Sequence, residues 1–360
     1  MSEITKENIL KALSHVEDPD LKKDLVTLGM IRDLVIEGNK VSFSVVLTTP
    51  ACPMKDMLHN ACKNAVLHFV SKDAVLDINM TSEVTSGRNN AEVLKGVKNI
   101  IAVGSGKGGV GKSTIAANLA IGLANKGAKV GLLDADIYGP SVPTMFGLKG
   151  QQPKMQNIEG KEFIVPIEKY GVKLLSIGFL IDPDQAVVWR GPMISSAFRQ
   201  FVGDVLWGDL DYLIIDLPPG TGDIQLTLAQ TVPLTGVVIV TTPQEVAVAD
   251  AIKAIDMFRM PQLTFPILGV VENMSYFTPA ELPDNKYFVF GEGGGQRLSA
   301  KFDVPLLAQI PLYMSVREGG DAGNPAVVES DTPDGKAFAE LAENVAQQVA
   351  IVNNNTSVSV

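Results

Sequence analysis

The chain has 360 residues, 46% hydrophobic and 19% charged, the balance of a globular protein long enough for more than one domain. A formal charge of −10 argues against a general nucleic-acid-coating surface. Two cysteines exclude a disulfide framework and fit a reducing, cytoplasmic setting, no stretch is apolar and long enough to span a bilayer, and the opening Met1–Lys6 lacks the apolar core of a secretory signal.

Residues 1–80 read as a small α+β domain. Asn8–His15 has helical spacing. Ile31–Glu37 and Lys40–Leu47 read as strands joined across Gly38-Asn39, a hairpin signal. Met54–Val70 reads as a helix and Val75–Met80 as a last strand. Cys52 lies between Ala51 and Pro53, just ahead of the second helix. A thiol at a helix N-terminus favours the reactive thiolate, which makes Cys52 a candidate cluster ligand; a small residue packed in a turn is the equal alternative. Cys62 shares a helical face with Leu58, Ala65 and Phe69 and reads as core. His15, His59 and His68 have no ligand-like spacing.

Residues 81–96 are polar and aperiodic at their start and read as a linker. A second domain is expected over 97–352, followed by a disordered tail over 353–360. Its strands are Ile100–Val103, Lys129–Asp134, Val172–Ile177, Tyr212–Asp216, Gly236–Thr241, Ile267–Glu272 and Pro305–Ile310, and the last helix runs from about Gly335 to Val352. Strands that alternate with helices imply an α/β fold, a mostly parallel sheet with helices on both faces.

The first of these strands leads into Gly106-Lys107-Gly108-Gly109-Val110-Gly111-Lys112-Ser113-Thr114. Gly106, Gly111, Lys112 and Ser113 satisfy the phosphate-loop pattern without a mismatch, in strand–loop–helix context. Glycines let backbone N–H groups close around phosphate oxygens, and the helix that follows points its positive end at the anion. Lys112 is expected to reach the β- and γ-phosphates, and Ser113 to hold Mg²⁺. Nucleoside triphosphate binding follows from these residues alone.

Two further strand ends carry matching chemistry. Leu132-Leu133-Asp134-Ala135-Asp136 places two carboxylates two residues apart, which is costly unless they serve a metal or a water. Leu213-Ile214-Ile215-Asp216 ends an apolar run in an acid, as a Walker-B strand does. The Pro218-Pro219-Gly220-Thr221-Gly222 that follows has the form of a switch loop.

Lys107-Gly108-Gly109-Val110-Gly111-Lys112-Ser113 resembles the deviant P-loop ATPases of the ParA/MinD-like class. Within that class, Leu133–Ser141, Asp216–Asp223, Val271-Glu272-Asn273-Met274-Ser275 and the glycines at 291–295 resemble the Mrp/ApbC family of iron–sulfur cluster carrier ATPases. Asp18-Pro19-Asp20-Leu21, Leu28-Gly29-Met30-Ile31 and Leu47–Pro53 look like the small iron–sulfur assembly domain fused to many of them. The resemblance implies a slow, ATP- and Mg²⁺-dependent hydrolase. It implies a nucleotide-gated homodimer in which Lys107 reaches the partner's nucleotide, and delivery of clusters to apoprotein clients. By the same resemblance Asp136 orients the attacking water, Asp134 supports the Mg²⁺ shell, Asp216 is the Walker-B acid and Asn273 contacts adenine.

One departure stands out. The family pattern places Cys-x-x-Cys just after the Val-Glu-Asn-Met-Ser segment, and here Thr278 and Glu281 occupy those places. Neither side chain is a thiolate, so a four-cysteine cluster shared between two protomers at this site is excluded. Two other roles stay open beside the carrier: a ParA/MinD-like positioning ATPase, and an ATP-dependent scaffold without a cluster. Ala337–Val349 has no Lys or Arg, so no membrane contact of the basic amphipathic type is expected, and the acidic balance speaks against nucleic acid.

Overall fold

The apolar runs assemble into one eight-stranded sheet, and the first eighty or so residues fold as a unit of their own. The computed structural model describes residues 3–88, 93–137, 139–180, 191–279, 281–282 and 284–358. Asn89–Glu92 of the expected linker and Tyr138 of the family motif lie outside the described residues. Two compact units emerge, Met1–Thr85 with Ala350–Val360, and Ser86–Val349.

The first unit contains α1 (Lys6–Leu13), β1 (Glu17–Asp18), β2 (Lys23–Asp24), β3 (Ile31–Glu37), β4 (Lys40–Leu47), α2 (Lys55–Phe69) and β5 (Val75–Ser82). Thr5 caps α1 by accepting the Asn8 N–H. Gly38, at φ +62°, turns β3 back on β4. β4 alternates strictly, sending Val41, Phe43, Val45 and Leu47 into the core. β5 runs parallel to β4, so α2 is the crossover between them and lays Leu58, Cys62 and Val66 on that core. Cys62 is fully buried.

The second unit contains β6 (Val97–Gly104), α3 (Lys112–Asn125), β7 (Val130–Asp134), α4 (Val142–Met145), β8 (Lys154–Ile158), β9 (Lys161–Val165), β10 (Ile167–Lys169) and β11 (Val172–Ser176). It continues with α5 (Gly191–Gly203), β12 (Leu210–Asp216), α6 (Asp223–Thr231), β13 (Gly236–Thr241), α7 (Glu245–Phe258), β14 (Ile267–Asn273), α8 (Gly294–Phe302), β15 (Leu306–Ile310), α9 (Met314–Ala322) and the part of α10 (Pro333–Val358) that precedes Ala350. The sheet order is β10-β11-β7-β12-β6-β13-β14-β15. Every pairing is parallel except β10 with β11 at one edge. β7 and β13 are buried along their whole length, as strands covered on both faces must be. Gly122 lets α3 approach α10, where a Cβ would meet the Ala342 methyl at 2.9 Å.

The tail expectation is corrected. Residues 353–358 continue α10, and the Asn353 amide, nearly buried, donates to the Thr85 carbonyl at 3.0 Å. A tertiary hydrogen bond overrides the weak helix propensity of three asparagines in a row. The hairpin β8–β9 and edge strand β10 add to the expected strands, and α4 to α9 are helices to which the sequence reading gave no range.

Topology positions the site. From β6 the chain passes over to β7, β12 returns between them, and β13 pairs on the other side of β6. Strand order therefore reverses at β6, and the crevice beyond its carboxyl end is where ligands sit in such sheets.

Candidate functional site

β6 ends at Gly104 and α3 starts at Lys112, so Ser105–Gly111 form the connecting loop. Gly109 and Gly111 sit at φ +83° and +82°, backbone that a side chain would strain. A Cβ on Gly106 would stand 2.1 Å from the Asp250 backbone, and one on Gly111 2.2 Å from the Asn273 amide nitrogen. Among the described residues, none of the backbone N–H groups from Gly108 to Thr114 is bonded to a protein acceptor. Unbonded N–H groups at the start of a fourteen-residue helix make an anion cradle. Val110 is buried beneath the loop, whereas Lys107, Gly108 and Gly109 are exposed.

Sheet register brings three acids to that loop. Asp216 pairs across to Val103 on one side and to Asp134 on the other, and Ser176 is the partner of Asp134 beyond it. Lys112 Nζ lies 2.5 Å from Asp216 Oδ1 and 3.5 Å from Asp136 Oδ2, and donates to Ser113 Oγ at 3.2 Å. Asp134 and Asp216 are fully buried. Asp134 accepts the Asp136 N–H at 3.1 Å on one oxygen, and the Val142 N–H and Ser176 hydroxyl on the other. Through these bonds it holds the Asp136 loop in place.

Burial, with the neighbouring Asp216 charge, pushes the Asp134 carboxyl up to about 7, and the Ser176 hydrogen bond offsets only part of this. Burial also raises Asp216, against the pull of Lys112. One lysine thus faces a carboxylate surplus that a divalent cation would balance. The donors fit Mg²⁺: all are oxygen, and Asp216 Oδ2 is buried without a hydrogen-bond partner among the described residues. Among the described residues no three His, Cys, Asp or Glu side chains converge as a metal cage. Mg²⁺ needs no such cage, because one or two protein ligands plus nucleotide phosphates suffice.

Asn273 closes the site from the end of β14, its amide donating to the Val110 carbonyl at 2.9 Å. The structure thus places it against the loop backbone. Beside it a cleft of about 510 Å³ opens between Thr114 at the α3 start, Pro140 and Met145 near α4, Met274, and the Pro311–Tyr313 segment. Its walls are mostly apolar. Lys107 sits outside this cluster; its carbonyl accepts the Ser105 hydroxyl at 3.0 Å, and its ammonium pairs with no carboxylate among the described residues.

Cys52 is half-buried in the first unit, two residues ahead of the Met54 cap of α2. Thr278 is half-buried and Glu281 exposed, on a loop where Phe277 and Tyr287 pair and Tyr276 packs against Phe288. Sequence reasoning passed over Ser176, Gln225 and Glu272 as individual residues. The charge of Glu272 inside an apolar strand was the signal for it; Ser176 carried none.

The comparisons follow the same division. Residues 96–346 match the family model for the NUBPL iron-transfer P-loop NTPase, and residues 6–76 match that for an iron–sulfur cluster assembly protein. An iron–sulfur cluster carrier protein of Synechocystis sp. is 50% identical over 351 residues, 97% of this chain and 99% of that one. One of Deinococcus radiodurans is 48% identical, covering 95% of each chain. Among solved structures, a nucleotide-binding protein of Archaeoglobus fulgidus in complex with ADP is 41% identical, with a TM-score of 0.57, covering 67% of this chain and 91% of that one. The fold, the loop and these matches agree: the chain belongs to the iron-transfer P-loop NTPase family, with an iron–sulfur assembly domain ahead of the NTPase domain.

Proposed function

We propose that the protein binds and slowly hydrolyses ATP, and uses that cycle as a nucleotide-gated homodimer to carry iron–sulfur clusters to apoproteins. The observation that carries the ATPase part is the buried Asp216 Oδ2 beside Lys112 and Ser113, at the mouth of a loop of N–H groups, with neither the oxygen nor those groups bonded among the described residues. Gly106 to Thr114 would cradle the phosphates and Lys112 would pair with them. Ser113 and Asp216 would hold Mg²⁺, with Asp134 in support; the ion supplies charge neutralisation across the phosphates. Asp136 would orient the attacking water, and Lys107 would reach the partner protomer's nucleotide, adding positive charge as the transition state forms. The base would enter the cleft beside Asn273.

The cluster is cargo. Cys52 is our candidate ligand, and a lone thiolate in each chain would need ligands from a partner. Two cysteines in 360 residues, too few for a disulfide framework, support a cytoplasmic site of action. No helix among the described residues is long and apolar enough to cross a membrane. Thr278 and Glu281, in place of a thiolate pair, favour a second reading, an ATP-dependent scaffold whose partners hold the cluster.

Anaerobic reconstitution with iron and sulfide separates the two, reading iron per dimer and the visible spectrum for wild type, Cys52→Ala and Lys112→Ala. Cluster bound by wild type and lost in Cys52→Ala supports the carrier. Colourless protein in every case overturns it in favour of the scaffold. Lys112→Ala should lose nucleotide binding altogether; wild-type affinity there would remove the site assignment.

A further inference from the structure

The segment from Leu217 to Gly222 leaves β12 next to Asp216 and enters α6. It is bonded to the phosphate loop at its base, because the Gly220 N–H donates to the Ser105 carbonyl at 2.9 Å and the Ser105 hydroxyl to the Lys107 carbonyl at 3.0 Å. Pro219 also stands against the loop, its ring 3.9 Å from where a Cβ on Gly108 would lie. Any shift of this segment is therefore felt at Lys107.

A single side chain grips the segment from the other side. Gln225, in the first turn of α6, is 5% exposed. Its Nε2 donates to the Pro218 carbonyl at 3.3 Å and also to the Pro219 carbonyl. Two carbonyls on one end of an amide fix which end is nitrogen. The Oε1 must then point away, and there it is buried without a partner among the described residues. A buried unsatisfied acceptor is rare and asks for an explanation. It lies 3.5 Å from where a Cβ on Gly222 would be. The Thr221 and Gly222 N–H groups have no bonded acceptor among the described residues. Gly220, at φ +102°, supplies a joint that a residue with a side chain would resist.

We infer that Gln225 is a positioning residue with two settings. In one it grips the Pro218 and Pro219 carbonyls; in the other its Oε1 takes the Thr221 or Gly222 N–H. Nucleotide at the phosphate loop selects between them through the Gly220–Ser105 bond. The inference rests on the ATPase reading above. It adds the element that couples occupancy of the loop to the placement of Lys107. No bond is made or broken covalently.

The test uses the full chain and two variants, Gln225→Ala and the isosteric Gln225→Glu, which keeps an acceptor but loses the donor to the prolines. ATP affinity and the separate kcat and KM values are measured. Hydrogen exchange of the 217–226 peptide is followed without nucleotide, with ADP and with a non-hydrolysable ATP analogue. Unchanged exchange in β6 and β12 certifies the fold. Both variants should bind ATP within about threefold of wild type, while kcat falls about tenfold or more, a split that a general loss of structure does not give. Exchange at 217–226 should rise without nucleotide and lose its difference between ADP and the analogue. Wild-type kcat together with a wild-type exchange difference in both variants overturns the inference. Absence of hydrolysis by the wild-type protein overturns the ATPase reading instead, and is recognised by the parent protein alone.

Discussion

At the scale of residues, the site is a problem of charge. Three carboxylates and one ammonium are drawn together by strand register and one helix start, and two of the acids are out of water entirely. Asp134 carries the clearest consequence. Its folded-state carboxyl titrates at about 7, above the ordinary 3.8. A raised carboxyl contributes stability that is complete below 3.8 and is lost as pH rises through 7. The nucleotide-free protein should therefore lose stability across that window, by up to about 1.4 kcal/mol per pH unit from this group. Urea unfolding of the second unit at several pH values, compared with Asp134→Asn, measures it. The variant should show the shallower pH slope whatever its absolute stability, and equal slopes would refute the shift. The candidate residues that the structure brings together could be picked out because each has a fixed chemical reason at a fixed spacing: Gly111 and Lys112 in the loop, Asp134, Asp136 and Asp216 at or just after strand ends. Ser176 was not, because a serine at a strand end is ordinary until register sets it beside a buried acid.

At the scale of elements, legibility followed burial. β3, β4 and β13 fall on the residues where alternation or an apolar run placed them. The hairpin β8–β9 was invisible because every residue of β8 is exposed, so no face repeats. Helix α9 buries none of its residues, so no core contact marks it. α8 was hidden by its own glycines, and their reason is now plain. A Cβ on Gly295 would stand 2.7 Å from the Glu272 side chain, and one on Gly294 2.5 Å from the Pro243 carbonyl. The glycines let the α8 start press on β14, where the Glu272 carboxylate accepts the Gly295 N–H at 2.5 Å and the Gln309 amide at 2.8 Å. Glu272 thus ties α8 and β15 to the strand that carries Asn273. Glu272→Ala strands both donors and should destabilise the second unit by about 3 kcal/mol. Glu272→Gln should cost much less, because the Gln309 amide can rotate to offer its oxygen. Chemical denaturation of the two variants checks this, and equal losses would show that packing, not hydrogen bonding, sets the contribution of Glu272.

At the scale of the whole molecule, the exposed Lys107 and the buried Lys112 divide the work of one loop. Lys112 is held by Asp216 and Asp136 inside its own chain, whereas Lys107 faces outward with no acid beside it among the described residues. In the dimer reading proposed above, Lys107 belongs to a second copy's nucleotide, and its charge would be supplied between protomers. The cycle should accordingly be visible as a change in mass. Asp136→Ala keeps Lys112, Ser113 and the loop, so it should bind ATP as wild type does. It should hydrolyse at least about a hundredfold more slowly, since general base and water-orienting groups contribute roughly that much. With ATP it should sediment as a stable dimer, where wild type passes through the dimer and returns to monomer as ADP forms. Lys107→Ala in the same background should remove the dimer without lowering affinity in the monomer by more than a few fold. Analytical ultracentrifugation with ATP and with ADP reads both variants. A monomer in Asp136→Ala with ATP bound would mean that nucleotide gates something within one chain. The switch segment gripped by Gln225 would then have to act on the rest of its own protomer.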